Sequence, residues 1–107
     1  MLNLSKIALM LFLFLSFDNA FASDYVEGRV LVLEPTYMPN RVSFSISVDT
    51  PNCVAGSLLF WQNSDLSNNR AVYATLLTAI TAKKIVRVFM KDGCEVGYIH
   101  LLDRESA

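Results

Sequence analysis

Residues 42–48 read VSFSISV. Val42, Phe44, Ile46 and Val48 alternate with Ser43, Ser45 and Ser47, and a period of two is the period of a β-strand. The four apolar side chains therefore share one face of a sheet. Burying each is worth roughly 1.5–3 kcal/mol before the entropy of ordering it is subtracted. The flanking sequence supplies more strands. Upstream, VEGRVLVLE (26–34) is dense in β-branched and leucine side chains, which predicts a strand covered on both faces. Gly28 inside it predicts a bulge or a close backbone approach, and Pro35 ends it by removing a ladder donor. PTYMPNR (35–41) is a loop with a turn at Pro39-Asn40. Downstream, Asp49-Thr50-Pro51-Asn52 is turn chemistry, and SLLFW (57–61) is a short third strand.

A helix is expected next. Asp65 or Ser67 can cap it, because a short side-chain oxygen accepts from the free amides of the first turn. Val72, Tyr73, Leu76, Leu77 and Ile80 form one apolar stripe at helical spacing. Lys83 and Lys84 follow at the C-terminal end, where cations oppose the negative pole of the dipole. IVRVFM (85–90) and CEVGYIHLL (94–102) are the fourth and fifth strands, joined by a tight turn at Lys91-Asp92-Gly93 with Gly93 at positive φ. The order is β-β-β-α-β-β. Five short strands with a helix between the third and fourth predict an OB-fold, a small five-stranded barrel plugged at one end by the helix. An open α+β sheet covered by one helix is the alternative.

The first 22 residues are read as an address. Lys6 precedes an apolar run from Ile7 to Phe17, and Ala20-Phe21-Ala22 offers small residues at −3 and −1, the layout of a secretory signal peptide. As a membrane anchor the run falls short of the about 20 residues that a ~30 Å hydrocarbon core requires. Cleavage after Ala22 leaves Ser23–Ala107 as a single OB-fold-like domain, exported to the periplasm or beyond, with no membrane segment in its mature form. So small a domain is marginal on core burial alone. The chain has two cysteines, Cys53 and Cys94. In an oxidising compartment they are expected to pair, and closing so long a loop is worth roughly 4 kcal/mol at most. The rival reading, a metal or redox site, finds neither metal-ligand spacing nor a C-x-x-C.

The 9 Lys and Arg are balanced by 10 Asp and Glu, for a net charge of −1. That argues against a nucleic-acid binder, which needs a basic excess or groove. With 53% hydrophobic residues the chain is too apolar for a disordered acidic tail. His100, the single histidine, could serve as a general base, but no G-x-S-x-G elbow accompanies it and Cys94 is committed to the bridge. It reads as a surface strand histidine. Asp92, Glu95, Asp103 and Glu105 could in principle pair for glycoside hydrolysis, and read instead as solvated turn and tail charges. No P-loop, EF-hand or G-x-G-x-x-G is present. Neither an enzyme nor a cofactor or metal is expected. The amphipathic aromatics are the better clue: Tyr25, Tyr37, Trp61, Tyr73 and Tyr98. Tyr37 and Trp61 near loop ends could stack on a sugar, and Ser43, Ser45 and Ser47 present a row of hydroxyls on the second strand, where OB-folds bind ligands.

SLLFWQNSDLSNNRAVYATLLTAITAKKIVRVFMKDG (57–93) resembles the helix and following strand of the binding subunit of subtilase cytotoxin and its pertussis-like relatives. The match lies in Ala71–Leu77 and in Val86-Arg87-Val88-Phe89; Gly28-Arg29-Val30-Leu31-Val32 resembles that group's first strand. The resemblance implies an OB-fold, a ring of identical subunits and binding of host glycans. Glu27 stands where those toxins carry a serine that contacts sialic acid, and the cysteine positions differ, so no site residue is carried over. The expectation is an exported, non-enzymatic binding module of the toxin B-subunit type, with a glycan ligand and a homo-oligomer as its partners. The alternative is a periplasmic OB-fold structural or interaction protein without a glycan role.

Overall fold

The computed structural model describes residues 25–105. Residues 1–22, read as a leader, lie outside the described residues. Five strands and one helix follow in the order β1 (Tyr25–Glu34), β2 (Val42–Ile46), β3 (Leu59–Trp61), α1 (Leu66–Ala82), β4 (Lys84–Asp92) and β5 (Glu95–Glu105). The chain is thus mostly β, with one helix between the third and fourth strands. The sheet runs β1-β2-β3-β5-β4, and β1 also pairs with β4, so the sheet returns on itself. Neighbours are antiparallel except β3 and β5, which run parallel and meet at one register point, Phe60 opposite Glu95. Among the described residues no helix is long and apolar enough to cross a membrane.

The alternation in β2 places Val42, Phe44 and Ile46 in the interior. There they pack with Val86, Val88 and Leu76. The strand ends at Ile46, two residues earlier than the periodicity suggests. In β1 the expectation of two covered faces fails beyond Val30, because Leu31 and Val32 are exposed. The irregularity expected at Gly28 lies instead between Val30 and Val32, where the register against β2 shifts. Such a bulge adds an unpaired residue and turns the strand, so inner and outer positions no longer alternate through it. Gly28 is a close approach: a Cβ there would lie 3.1 Å from Ser47 Oγ and from Val48 Cγ2.

Helix α1 starts at Asp65, whose Oδ1 accepts from Ser67 N at 3.0 Å and Asn68 N at 3.4 Å, the capping expected of a short carboxylate. Leu76 and Ala79 are buried and Val72, Tyr73 and Ile80 half-buried, but Leu77 is 43% exposed and leaves the predicted stripe. The two lysines do not sit on the last turn. Lys83 is the left-handed C-cap, its N–H donating to Ala79 O, and Lys84 opens β4. Lys84 Nζ there binds Asp103 and Glu105, each at 3.3 Å. The turn between β4 and β5 has Gly93 at φ +53°, as its residue type demands.

Asn69, one turn into α1, is fully buried. Its Nδ2 donates to Pro39 O at 2.8 Å, Asn40 O at 3.3 Å and Asn63 O at 2.9 Å, tying the β1–β2 and β3–α1 loops to the helix. Cys53 and Cys94 are joined by a disulfide. Phe60 N donates to Cys94 O at 3.1 Å, so the bridge lands where β3 meets β5.

Candidate functional site

The structure does not gather the five residues singled out in the sequence at one open site. Ser43 and Ser45 are buried, Ser45 at 1% exposure, because the second face of β2 is covered as well as the first. Alternation reports which residues share a face, not whether that face meets water. Ser47 Oγ is engaged, accepting from Arg29 N at 3.0 Å. Trp61 is half-buried, and its Nε1–H donates to Asn68 Oδ1 at 3.0 Å. Tyr37 stands out from the β1–β2 loop at 61% exposure.

A different surface brings the aromatic residues together. On β4, Val86 and Val88 turn inward, so Arg87 and Phe89 point outward. Strand pairing then aligns side chains from three strands. Tyr25 on β1 lies opposite Phe89 on β4, and Phe89 opposite Tyr98 on β5. One step along, Glu27 lies opposite Arg87, and Arg87 opposite His100. Ring centroids are 5.2 Å apart for Tyr25–Phe89, 6.2 Å for Phe89–Tyr98 and 5.0 Å for Phe89–His100. Tyr98 is 70% exposed. The Arg87 guanidinium sits 4.5 Å above the Tyr25 ring. Arg87 also donates to Glu27 Oε2 through Nε at 2.8 Å, and Arg104 donates to Glu27 Oε1. The hydrogen bonds from Arg104, then from Arg87, hold the Glu27 carboxyl below its ordinary value of 4.5.

This face combines flat apolar rings with polar tips and a charge cluster that fixes their positions. Aromatic rings of this kind stack on the C–H faces of other rings while their hydroxyls and the neighbouring imidazole hydrogen-bond. Beside the row a cleft of 400 Å³ opens between Tyr25, Val26, Pro51, Asn52, Met90 and Lys91. The signal was present in the sequence as outward alternation in VRVF and YIH. The register that lines those positions up across β1, β4 and β5 is a long-range property. Of the carboxylates near the last strand, Asp103 and Glu105 both bind Lys84, and Glu95 lies 3.7 Å from Lys91 Nζ. Among the described residues no group of three or more His, Cys, Asp and Glu could hold a metal ion. No protein-family model, curated protein or solved structure matches this chain.

Proposed function

We propose that the protein is an exported, non-enzymatic binding module with an OB-fold barrel, and that it binds a glycan. The observation that carries the glycan is the row Tyr25–Phe89–Tyr98 with His100 beside it on the outer face of β1, β4 and β5, where Tyr98 and His100 are exposed and Tyr25 and Phe89 half-buried. The strand order and the placement of α1 agree with an OB-fold. The disulfide is compatible with an oxidising compartment. Export itself rests on the reading of residues 1–22.

Self-association belongs to the same reading. The 17-residue helix LSNNRAVYATLLTAITA carries Arg70 as its one charged side chain, and Leu66 and Leu77 are exposed on it. A helix face bathed in water ordinarily carries more charge than this. The same helix supports the second reading, an interaction protein with no glycan role.

The test is a glycan array on the purified protein beside its Tyr98→Ala variant, with mass from light scattering. Retention of a glycan class by the wild type and its loss in Tyr98→Ala is the expected result. A protein that retains nothing on the array favours the second reading.

A further inference from the structure

The outer face of the β1–β2–β3 half of the sheet carries an apolar patch that neither the core nor the aromatic row uses. Val42, Phe44 and Ile46 point inward, so Ser43 and Ser45 lie on the outer side of β2. Register sets Val32 of β1 opposite Ser45. On the other flank Leu59 lies opposite Phe44, which places Leu58 beside Ser45 as well. Val32 and Leu58 are exposed, while Ser45 between them is buried. A single apolar side chain in water needs no account, but two that flank one buried position form a patch.

Charge frames the patch. In the next row Glu34 lies opposite Ser43, and Ser43 opposite Phe60. The Arg41 guanidinium sits 4.0 Å above the Phe60 ring. A carboxylate therefore stands on the β1 side and a guanidinium on the β3 side, two strand spacings or about 10 Å apart at the backbone. Neither takes part in an ion pair among the described residues. Arg41 Nε is buried and has no hydrogen-bond acceptor. A part-buried cation without a counter-charge is unfavourable, and a carboxylate brought from outside the chain would relieve it.

We propose that this face binds a second copy of the chain about a two-fold axis running along β2. Such a rotation lays β1 of one protomer over β3 of its partner. Val32 then meets the partner's Leu58, Glu34 meets the partner's Arg41, and the reverse contacts form by symmetry. Each unpaired charge gains its opposite. An acidic or a basic partner would satisfy one of the two charges and oppose the other, so the patch fits this chain itself. The contact lies apart from the row Tyr25–Phe89–Tyr98 and from α1, and it does not depend on a glycan.

The test is sedimentation equilibrium of the purified wild type, Glu34→Arg, Arg41→Glu and the double exchange Glu34→Arg/Arg41→Glu, with folding checked by circular dichroism. The wild type should show a concentration-dependent dimer. Each single reversal sets like charges together in both symmetric contacts and should weaken association by about 100-fold or more. The double exchange should restore it to within about tenfold. Leu58→Asp, at an exposed position, should also dissociate the dimer, and it decides the case if Arg41→Glu does not fold. A wild type that stays monomeric into the millimolar range overturns the proposal. So does an oligomer that neither charge reversal nor Leu58→Asp dissociates, or a folded double exchange that remains as weak as the single reversals.

Discussion

Removing the disulfide should cost this protein about as much as truncating a large core side chain. Strand β3 is three residues long and meets β5 at one register point, so little else holds that seam. The bridge joins residues 41 apart in sequence. Loop-closure entropy for a loop of that length gives about 4 kcal/mol at 25 °C. In a domain of this size 1 kcal/mol moves the thermal midpoint by about 4–8 °C, so the full effect is about 16 °C or more. Residual order in the unfolded chain lowers the yield, and half of the lower figure, about 8 °C, is the least the reasoning allows.

The perturbation is the double variant Cys53→Ala/Cys94→Ala, read by circular dichroism melting beside wild type with and without reductant. The reduced wild type and the variant should melt together. Hydrogen exchange should report the same event locally, because the Phe60 amide donates to Cys94 O across the seam. Its protection should fall before that of the β1–β4 ladder. A midpoint within a degree or two of the oxidised wild type, or stoichiometric thiol labelling of the native protein, refutes the reasoning.

Asn69→Ala should destabilise by about 2–4 kcal/mol in urea unfolding, since it strands the carbonyls of Pro39 and Asn63 and leaves a void; a loss below about 0.5 kcal/mol would show that water replaces the amide at no cost. Gly28→Ala places a methyl 3.1 Å from two side-chain atoms and should cost about 1–3 kcal/mol by the same assay; a neutral result would mean that Ser47 and Val48 yield freely. The Glu27 carboxyl is held below 4.5 in the folded state, so its contribution is complete above that value and is lost as pH falls through the folded value. Melting midpoints followed from neutral to acid pH should therefore fall less steeply in Glu27→Gln; parallel curves would remove the ion cluster from the stability balance. Lys84 runs the opposite way: Asp103, then Glu105, raise it above 10.5, so its contribution is present below 10.5 and lost as pH rises through the higher folded value, and Lys84→Met should flatten the alkaline limb of the same plot.

The elements were legible where local chemistry decides them. The alternation of Val42, Phe44 and Ile46 needs nothing beyond the strand itself, and the Asp65 cap and the Gly93 turn are decided within four residues. What failed depended on what lies opposite. Ser43 and Ser45 look solvated because serine usually is, yet both are buried. Leu77 fits a helical stripe by spacing, but it stands about 100° round the helix from the fully buried Leu76 and is exposed.

The aromatic row shows why a site is harder to read than a fold. Tyr25 is far in sequence from Phe89 and Tyr98, which face each other across the β4–β5 hairpin, and only register brings the three level. That register is not the simple continuation of the β4–β5 turn. Pairing shifts around Met90, and again between Lys84 and Val86, where β5 advances from Leu101 to Glu105 while β4 moves two residues. A slip of one residue in any of these pairings would exchange inner for outer side chains and bury Phe89 or expose Val88. The interior therefore selects the register, because Val86, Val88 and Val96 must all be buried at once. The outer row follows from that selection. Its rings meet because the core beneath them admits one alignment, so a substitution that loosened Val88 would disperse the aromatic row without touching any residue in it.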